Sequence, residues 1–342
     1  MIATYLAEKA LLPDSIIRWG IRNQLKERIK SSYEPNHTHY DKFIDMLKNS
    51  PIAIETQAAN EQHYEVPSEF FIKILGPRLK YSCCQWDSEQ STLQEAEESS
   101  LKQVCERAEI QDGMSILDLG CGWGSFSLWA AEKYPNSEIT SVSNSNSQRI
   151  HIESQAKLRK LTNITVKTVD INHFEMDQTF DRIVSIEMFE HLRNYQKLFS
   201  KLANFLNEEG QLFVHIFNNR RYAYSFEDEN PRDWMARYFF AGGIMPSHDL
   251  FHQFDDDLSV VKSWKVNGVH YQKTLDAWLS KIDQNEEEIL SLFNEVYGTI
   301  NSKLWLQRWR LFHLVCSELF GYKEGEDWAV THYLFKKTHS NT

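Results

Sequence analysis

The 342 residues suit one large domain, or a compact core carrying a substantial insertion. Hydrophobic residues make up 42% and charged ones 25%, enough apolar surface for a core without disulfides or a structural metal. The formal net charge of −11, from 48 acidic against 37 basic residues, opposes long-range attraction to nucleic acid or anionic lipid and draws in a cationic small molecule.

No run of about 18 apolar residues occurs, so stable membrane insertion is not expected. The N-terminus lacks the basic-then-apolar pattern of a secretory signal, which makes the cytosol the expected compartment. Cys83, Cys84, Cys105, Cys121 and Cys316 lack paired C-x-x-C spacing and read as reduced thiols rather than a zinc site.

In chain order, the first sixty or so residues read as amphipathic helix, with Asp14 as an N-cap ahead of Ile16, Ile17 and Trp19. Ser50-Pro51 and the polar stretch from Ala58 to Gln62 suggest a linker, which separates an N-terminal helical segment, 1–60, from a main domain, 61–342. Helical blocks follow from Pro67 to Leu75 and from Leu93 to Ala108. Strands are then predicted at Ser115–Asp118, Glu138–Val142, Ile164–Val169, Phe180–Ile186 and Gln211–Phe217, with helices reaching to Tyr134 and from Gln148 to Lys160 between them. That alternation means a doubly wound α/β fold around a mostly parallel sheet. Residues 218–256 are aromatic-rich and lack strand spacing, and 271–322 read as a long helical segment. Leu258–Val266 and Trp328–Lys336 complete seven strands, so a helical cap is inserted late in the chain.

Asp118-Leu119-Gly120-Cys121-Gly122-Trp123-Gly124 runs from a strand end into a helix. Glycine lets the backbone turn sharply and lets a ligand approach it. A dinucleotide fold would place glycine at position 125, where Ser125 stands, and a carboxylate at the end of the second strand, where Ser143-Asn144-Ser145 stands. The D-x-G-x-G-x-G form points instead to S-adenosylmethionine.

The fourth strand ends at Glu187-Met188-Phe189-Glu190-His191. As a helix start, positions i, i+3 and i+4 would bring two carboxylates and an imidazole onto one face at the carboxyl edge of the sheet. Methyl transfer from a sulfonium needs a free lone pair on the acceptor, so an ammonium must first lose a proton. His191 suits that base by its ordinary pKa, and activity is then expected to fall at acid pH.

These motifs, with His63-Tyr64-Glu65-Val66-Pro67, Tyr81-Ser82-Cys83-Cys84, Asn144-Ser145-x-x-Gln148, Glu318-Leu319-Phe320-Gly321-Tyr322 and Asp327-Trp328-Ala329-Val330-Thr331-His332, resemble the cyclopropane fatty acid synthase family of methyltransferases, and within it the coclaurine N-methyltransferase branch. The resemblance covers roughly Glu61 to Lys336. It implies a class I methyltransferase fold acting on the nitrogen of a small amine. Tyr81 and Ser82 would meet the methionine carboxylate, Gly120 and Gly122 the amino-acid end, Asn144 and Gln148 the ribose hydroxyls, and Asp170 with the Ile171 backbone the adenine. It assigns His191 as base, Glu190 as its charge-stabilising neighbour and Glu187 as the partner of the ammonium. That last role requires Glu187 to face the donor methyl and not be locked by an internal partner.

The rival reading is methyl or methylene transfer to an unsaturated lipid. The lipid enzymes hold a bicarbonate base, whose ligands by resemblance would be Cys83, Glu190, His215 and Tyr271. They carry glycine where Glu187 stands. Cys316 is carried over as a catalytic position, although direct methyl transfer needs no thiol and a packing role fits it. Tyr238-Phe239-Phe240, Trp305, Trp309 and Trp328 are candidates to wall the acceptor pocket. The expected partner is a small-molecule amine, with no nucleic acid; a homodimer stays open.

Overall fold

The computed structural model describes residues 2–32, 37–54, 66–230 and 233–338. The polar linker stretch and His63-Tyr64-Glu65 lie outside the described residues.

Strands β1 (Ser115–Leu119), β2 (Glu138–Ser143), β3 (Ile164–Thr168), β4 (Phe180–Ile186) and β5 (Leu206–Asn219) are parallel neighbours in the spatial order β3-β2-β1-β4-β5. Two short strands, β6 (Tyr224–Ser225) and β7 (Ile244–Met245), form a separate ribbon. The main sheet then closes with β9 (Trp328–Lys337), antiparallel to both β5 and β8 (Leu258–Val266). This is the seven-stranded, mostly parallel sheet expected.

Alternation along the central strands shows both faces covered. Leu117, Leu119, Ile183, Leu212 and Val214 pack with helices α3 (His37–Asn49) and α8 (Tyr195–Phe205), while Ile116, Val184, Phe213 and Leu334 pack with α5 (Leu93–Arg107) and α6 (Ser125–Lys133). Helices α1 (Ile2–Glu8) and α2 (Asp14–Ser32) precede these, α4 (Ser68–Ile74) lies between α3 and α5, and α7 (Asn146–Leu158) follows β2.

The cap departs from the sequence reading in detail. The stretch expected to lack strands holds β6, β7 and a short helix α9 (Trp234–Tyr238). The long helical segment is two helices, α10 (Gly268–Gln284) and α11 (Glu286–Gly321), and α11 breaks at Gly298, whose φ is 74°. Asp14 lies in the first turn of α2, and its carboxylate receives Arg310 Nη2 at 2.9 Å. That contact ties α2 to α11. Arg18 and Arg22 add to it by donating to the buried Glu318.

Strand order reverses between β1 and β4, and open α/β sheets bind ligands at the carboxyl ends of the strands flanking such a switch point. Here those ends are Leu119-Gly120 and Ile186-Glu187.

Candidate active site

The glycine loop leaves β1 with Gly120 at φ 81° and Gly122 at φ 52°, backbone that side chains rarely allow. A Cβ at Gly120 would meet Met188 Cγ at 2.6 Å, whereas one at Gly122 would meet nothing within 4 Å and would enter the cavity. Beneath the loop Asp118 is buried, and its carboxyl accepts from Ser127 Oγ. Burial pushes that carboxyl up to about 7, against the Ser127 hydrogen bonds.

A cavity of about 540 Å³ opens here, and a smaller one of about 90 Å³ adjoins it. Gly120, Gly122, Gln148, Glu187 and His191 line both. The smaller cavity carries Asn144, Asp170 and Ile171, and the larger carries Tyr81 and Ser82, so every residue expected around the cofactor lines one continuous groove. Gln148 Oε1 accepts from Ser143 Oγ at 2.6 Å, leaving its amide NH₂ for a ribose oxygen. Asp170 Oδ1 accepts from the Asn172 amide at 2.8 Å, leaving Oδ2 for an amino group. These donors and acceptors fit S-adenosylmethionine, polar at its ends and close to backbone at Gly122.

The acid cluster converges, but not on a helical face. Glu187 has φ 47°, a left-handed kink at the end of β4, and residues 189–191 form a single 3₁₀ turn. The helix starts only at Tyr195. The kink turns all three side chains to the wall of the larger cavity.

Glu187 is not the free carboxylate expected. Its Oε1 accepts from the Cys83 amide at 2.9 Å and from His215 Nε2 at 3.1 Å, and its Oε2 accepts from the Tyr271 hydroxyl at 2.5 Å. Burial raises its pKa, while Lys80, Tyr271 and the Cys83 amide oppose that rise by favouring the anion. A carboxylate offers about four lone-pair directions, so three internal donors leave one.

Glu190 shares the cavity wall with Glu187 and His191. It is fully buried, and its Oε2 has no hydrogen-bond partner among the described residues. Burial, with the neighbouring Glu187 charge, drives its pKa well up. His191 lies against the Phe240 ring, 4.7 Å between centroids. Cys316 lines the cavity, but burial and the Glu187 charge push its thiol up to about 12, so no thiolate forms at neutral pH.

Of the aromatic candidates, Phe240 alone lines the larger cavity. Trp328 and Trp309 are core residues, packed on Tyr322 and Phe70. The aromatic wall consists instead of residues such as Phe217, Tyr224, Phe226, Trp278 and Phe312. Helical spacing could not separate cavity aromatics from core ones.

Two further features escaped the sequence reading. Lys80 is buried beside the site, donating to Ser82 Oγ and the Cys83 carbonyl at 2.6 Å each. Its position directly before Tyr81-Ser82 was the one available signal. Helix α2 contributes Ile21, Gln24, Leu25 and Arg28 to the cavity wall.

Residues 53–325 match the family described as mycolic acid cyclopropane synthetase. The chain is 40% identical to an (S)-coclaurine N-methyltransferase of Thalictrum flavum subsp. glaucum, covering 96% of this chain and 94% of that one. It is 37% identical to an (S)-coclaurine N-methyltransferase of Papaver somniferum, covering 96% of each. A crystal structure of coclaurine N-methyltransferase bound to N-methylheliamine and SAH superposes with a TM-score of 0.93 at 38% identity, covering 97% of this chain and 98% of that one.

Proposed function

The chain belongs to the mycolic acid cyclopropane synthetase family and is an S-adenosylmethionine-dependent N-methyltransferase of the coclaurine type; from that premise we propose that its acceptor is a benzylisoquinoline-type amine, received by the Glu187 carboxylate. The bound cofactor supplies an electrophilic methyl on a sulfonium.

Glu187 is held by internal partners, which fails the condition set on it from the sequence; what supports the amine reading is the 38–40% identity to coclaurine N-methyltransferases, together with a carboxylate that occupies the donors a bicarbonate would need. Cys83, His215 and Tyr271 are three of the four residues that resemblance assigns to a bicarbonate, and all three already donate to this side chain. The donors left for a bicarbonate are too few, so the site does not fit that ion, and the lipid reading loses its base. A carboxylate fixed on three sides keeps one acceptor direction for an amine N–H. His191, on the same wall, takes the proton that frees the nitrogen lone pair. The aromatic wall suits a planar ring, and each aromatic face against the cation contributes about 0.5–2 kcal/mol. Among the described residues no helix is long and apolar enough to cross a membrane.

Incubating the purified protein with methyl-labelled cofactor, a benzylisoquinoline panel and unsaturated phospholipid vesicles tests this. Label should enter the amines. Label confined to lipid overturns the proposal.

A further inference from the structure

Behind Glu187 runs a buried chain of hydrogen bonds that the acceptor never touches. His215 on β5 and His332 on β9 are direct partners across the antiparallel pair, with ring centroids 4.6 Å apart. Both are about 1% exposed. Arg107 Nη1 lies 2.8 Å from His332 Nδ1, His332 Nε2 lies 2.9 Å from His215 Nδ1, and His215 Nε2 lies 3.1 Å from Glu187 Oε1. Arg107 closes the outer end, at the last turn of α5, with its guanidinium 5.4 Å from the centre of the Trp264 ring.

The chain has one direction. A guanidinium only donates, so His332 Nδ1 must accept. A neutral His332 then carries its proton on Nε2 and donates to His215 Nδ1. His215 in turn carries its proton on Nε2 and donates to Glu187. Adding a proton to His215 would put a second N–H on Nδ1, facing the N–H of His332. His332 could yield only by moving its own proton to Nδ1, against Arg107. Each step back meets a donor.

We propose that Arg107 and His332 are positioning residues that hold His215 as a neutral Nε2–H donor, so that the Glu187–His215 pair keeps one net negative charge for the incoming ammonium. Were His215 to become an imidazolium, the pair would be neutral and its attraction for a cation would vanish. The inference rests on Glu187 receiving the amine, as proposed above. The charged and titratable groups that face the two histidines are consistent with it. Burial, Lys80 and Arg107 all disfavour a proton on His215, and burial, His215, Arg107 and Lys80 do so on His332. Glu187 faces His215 from β4, with Cys83 and Tyr271 on the far side of that carboxylate. Glu106 flanks Arg107.

The test uses the full-length enzyme with ¹⁵N,¹³C-labelled histidine, read by NMR from about pH 5.5 to 8.5, a range centred on ordinary imidazole titration. In the wild type both rings should be Nε2–H tautomers throughout. In R107M the pair should take up a proton as pH falls. Amine kcat/KM should then fall about tenfold more between pH 8 and pH 6 than in the wild type, with cofactor Kd unchanged. R107K, which keeps a charged donor, should restore the wild-type profile. H332L, which breaks the chain without altering Arg107, should give His215 the same new titration and guards against a folding defect in R107M. Nδ1–H tautomers in the wild type, or R107M and H332L signals that stay silent with an unchanged pH profile, overturn the proposal. The NMR readout needs no acceptor, so it stands apart from any failure of the amine assignment.

Discussion

The Tyr271 hydroxyl lies 2.5 Å from Glu187 Oε2, joining cap helix α10 to the left-handed residue that ends β4. Burial and the Glu187 charge hold Tyr271 in its protonated form, so it is a donor at every pH the enzyme meets. Hydrogen bonds to charged groups contribute about 1.5–3 kcal/mol. Y271F should therefore lower amine kcat/KM by about 10- to 100-fold while the cofactor Kd, read by calorimetry, stays put. An equal loss in cofactor binding would place Tyr271 in a different role.

Glycine adopts the φ of 47° at position 187 without the strain that a side chain meets there, about 1–2 kcal/mol. E187G relieves that strain but leaves Cys83 N–H, His215 and Tyr271 without their acceptor, so it should be less stable than the wild type and lose amine turnover by about 100-fold or more. It would also free Cys83 N–H, His215 and Tyr271 to hold a small anion. Added formate or bicarbonate should then restore part of the activity in E187G and none in the wild type. Failure of both anions to rescue would show that the three donors do not form an anion site on their own.

Cys316 should be dispensable for chemistry. With its thiol pushed up to about 12, C316A should keep kcat within about twofold of wild type, since no thiolate contributes at neutral pH. A kcat loss beyond tenfold at unchanged melting temperature would contradict this.

Asp118 makes a prediction about stability. Its folded pKa is raised to about 7, whereas an unfolded aspartate titrates near about 4. Between those values the folded chain keeps a proton that the unfolded chain has released. The contribution is complete below about pH 4 and is lost as pH rises through about 7. The urea midpoint of the wild type should decline relative to D118N from pH 5 to pH 7 and run parallel to it above pH 8. Parallel curves throughout would mean that Asp118 is already ionised at pH 5.

The sheet was legible because strand-length segments, apolar in β1 and β4, alternate with helix-length ones across glycine and polar turns. The cofactor groove was legible because its residues cluster at strand ends, where sequence position fixes spatial position. The state of each carboxyl was not. Whether Glu187 or Glu190 keeps its charge depends on donors from residues 83, 215 and 271, which no local pattern connects. The aromatic wall was misread for a related reason. Phe217 pairs with Val330 and Trp328 with Asn219 on the same β5–β9 ladder, yet only Phe217 of the two aromatics lines the cavity, a difference set by tertiary packing.

Strand β9 enters the sheet between β5 and β8, and its His332 meets a residue 117 positions earlier. Such distant pairing closes slowly, because chain entropy must be lost before the contact repays it. The cap helix α10 also comes late in the chain, and its Tyr271, Thr274 and Trp278 hold Glu187, Cys84 and Tyr81, so both halves of the site are complete only once the last third of the chain has docked.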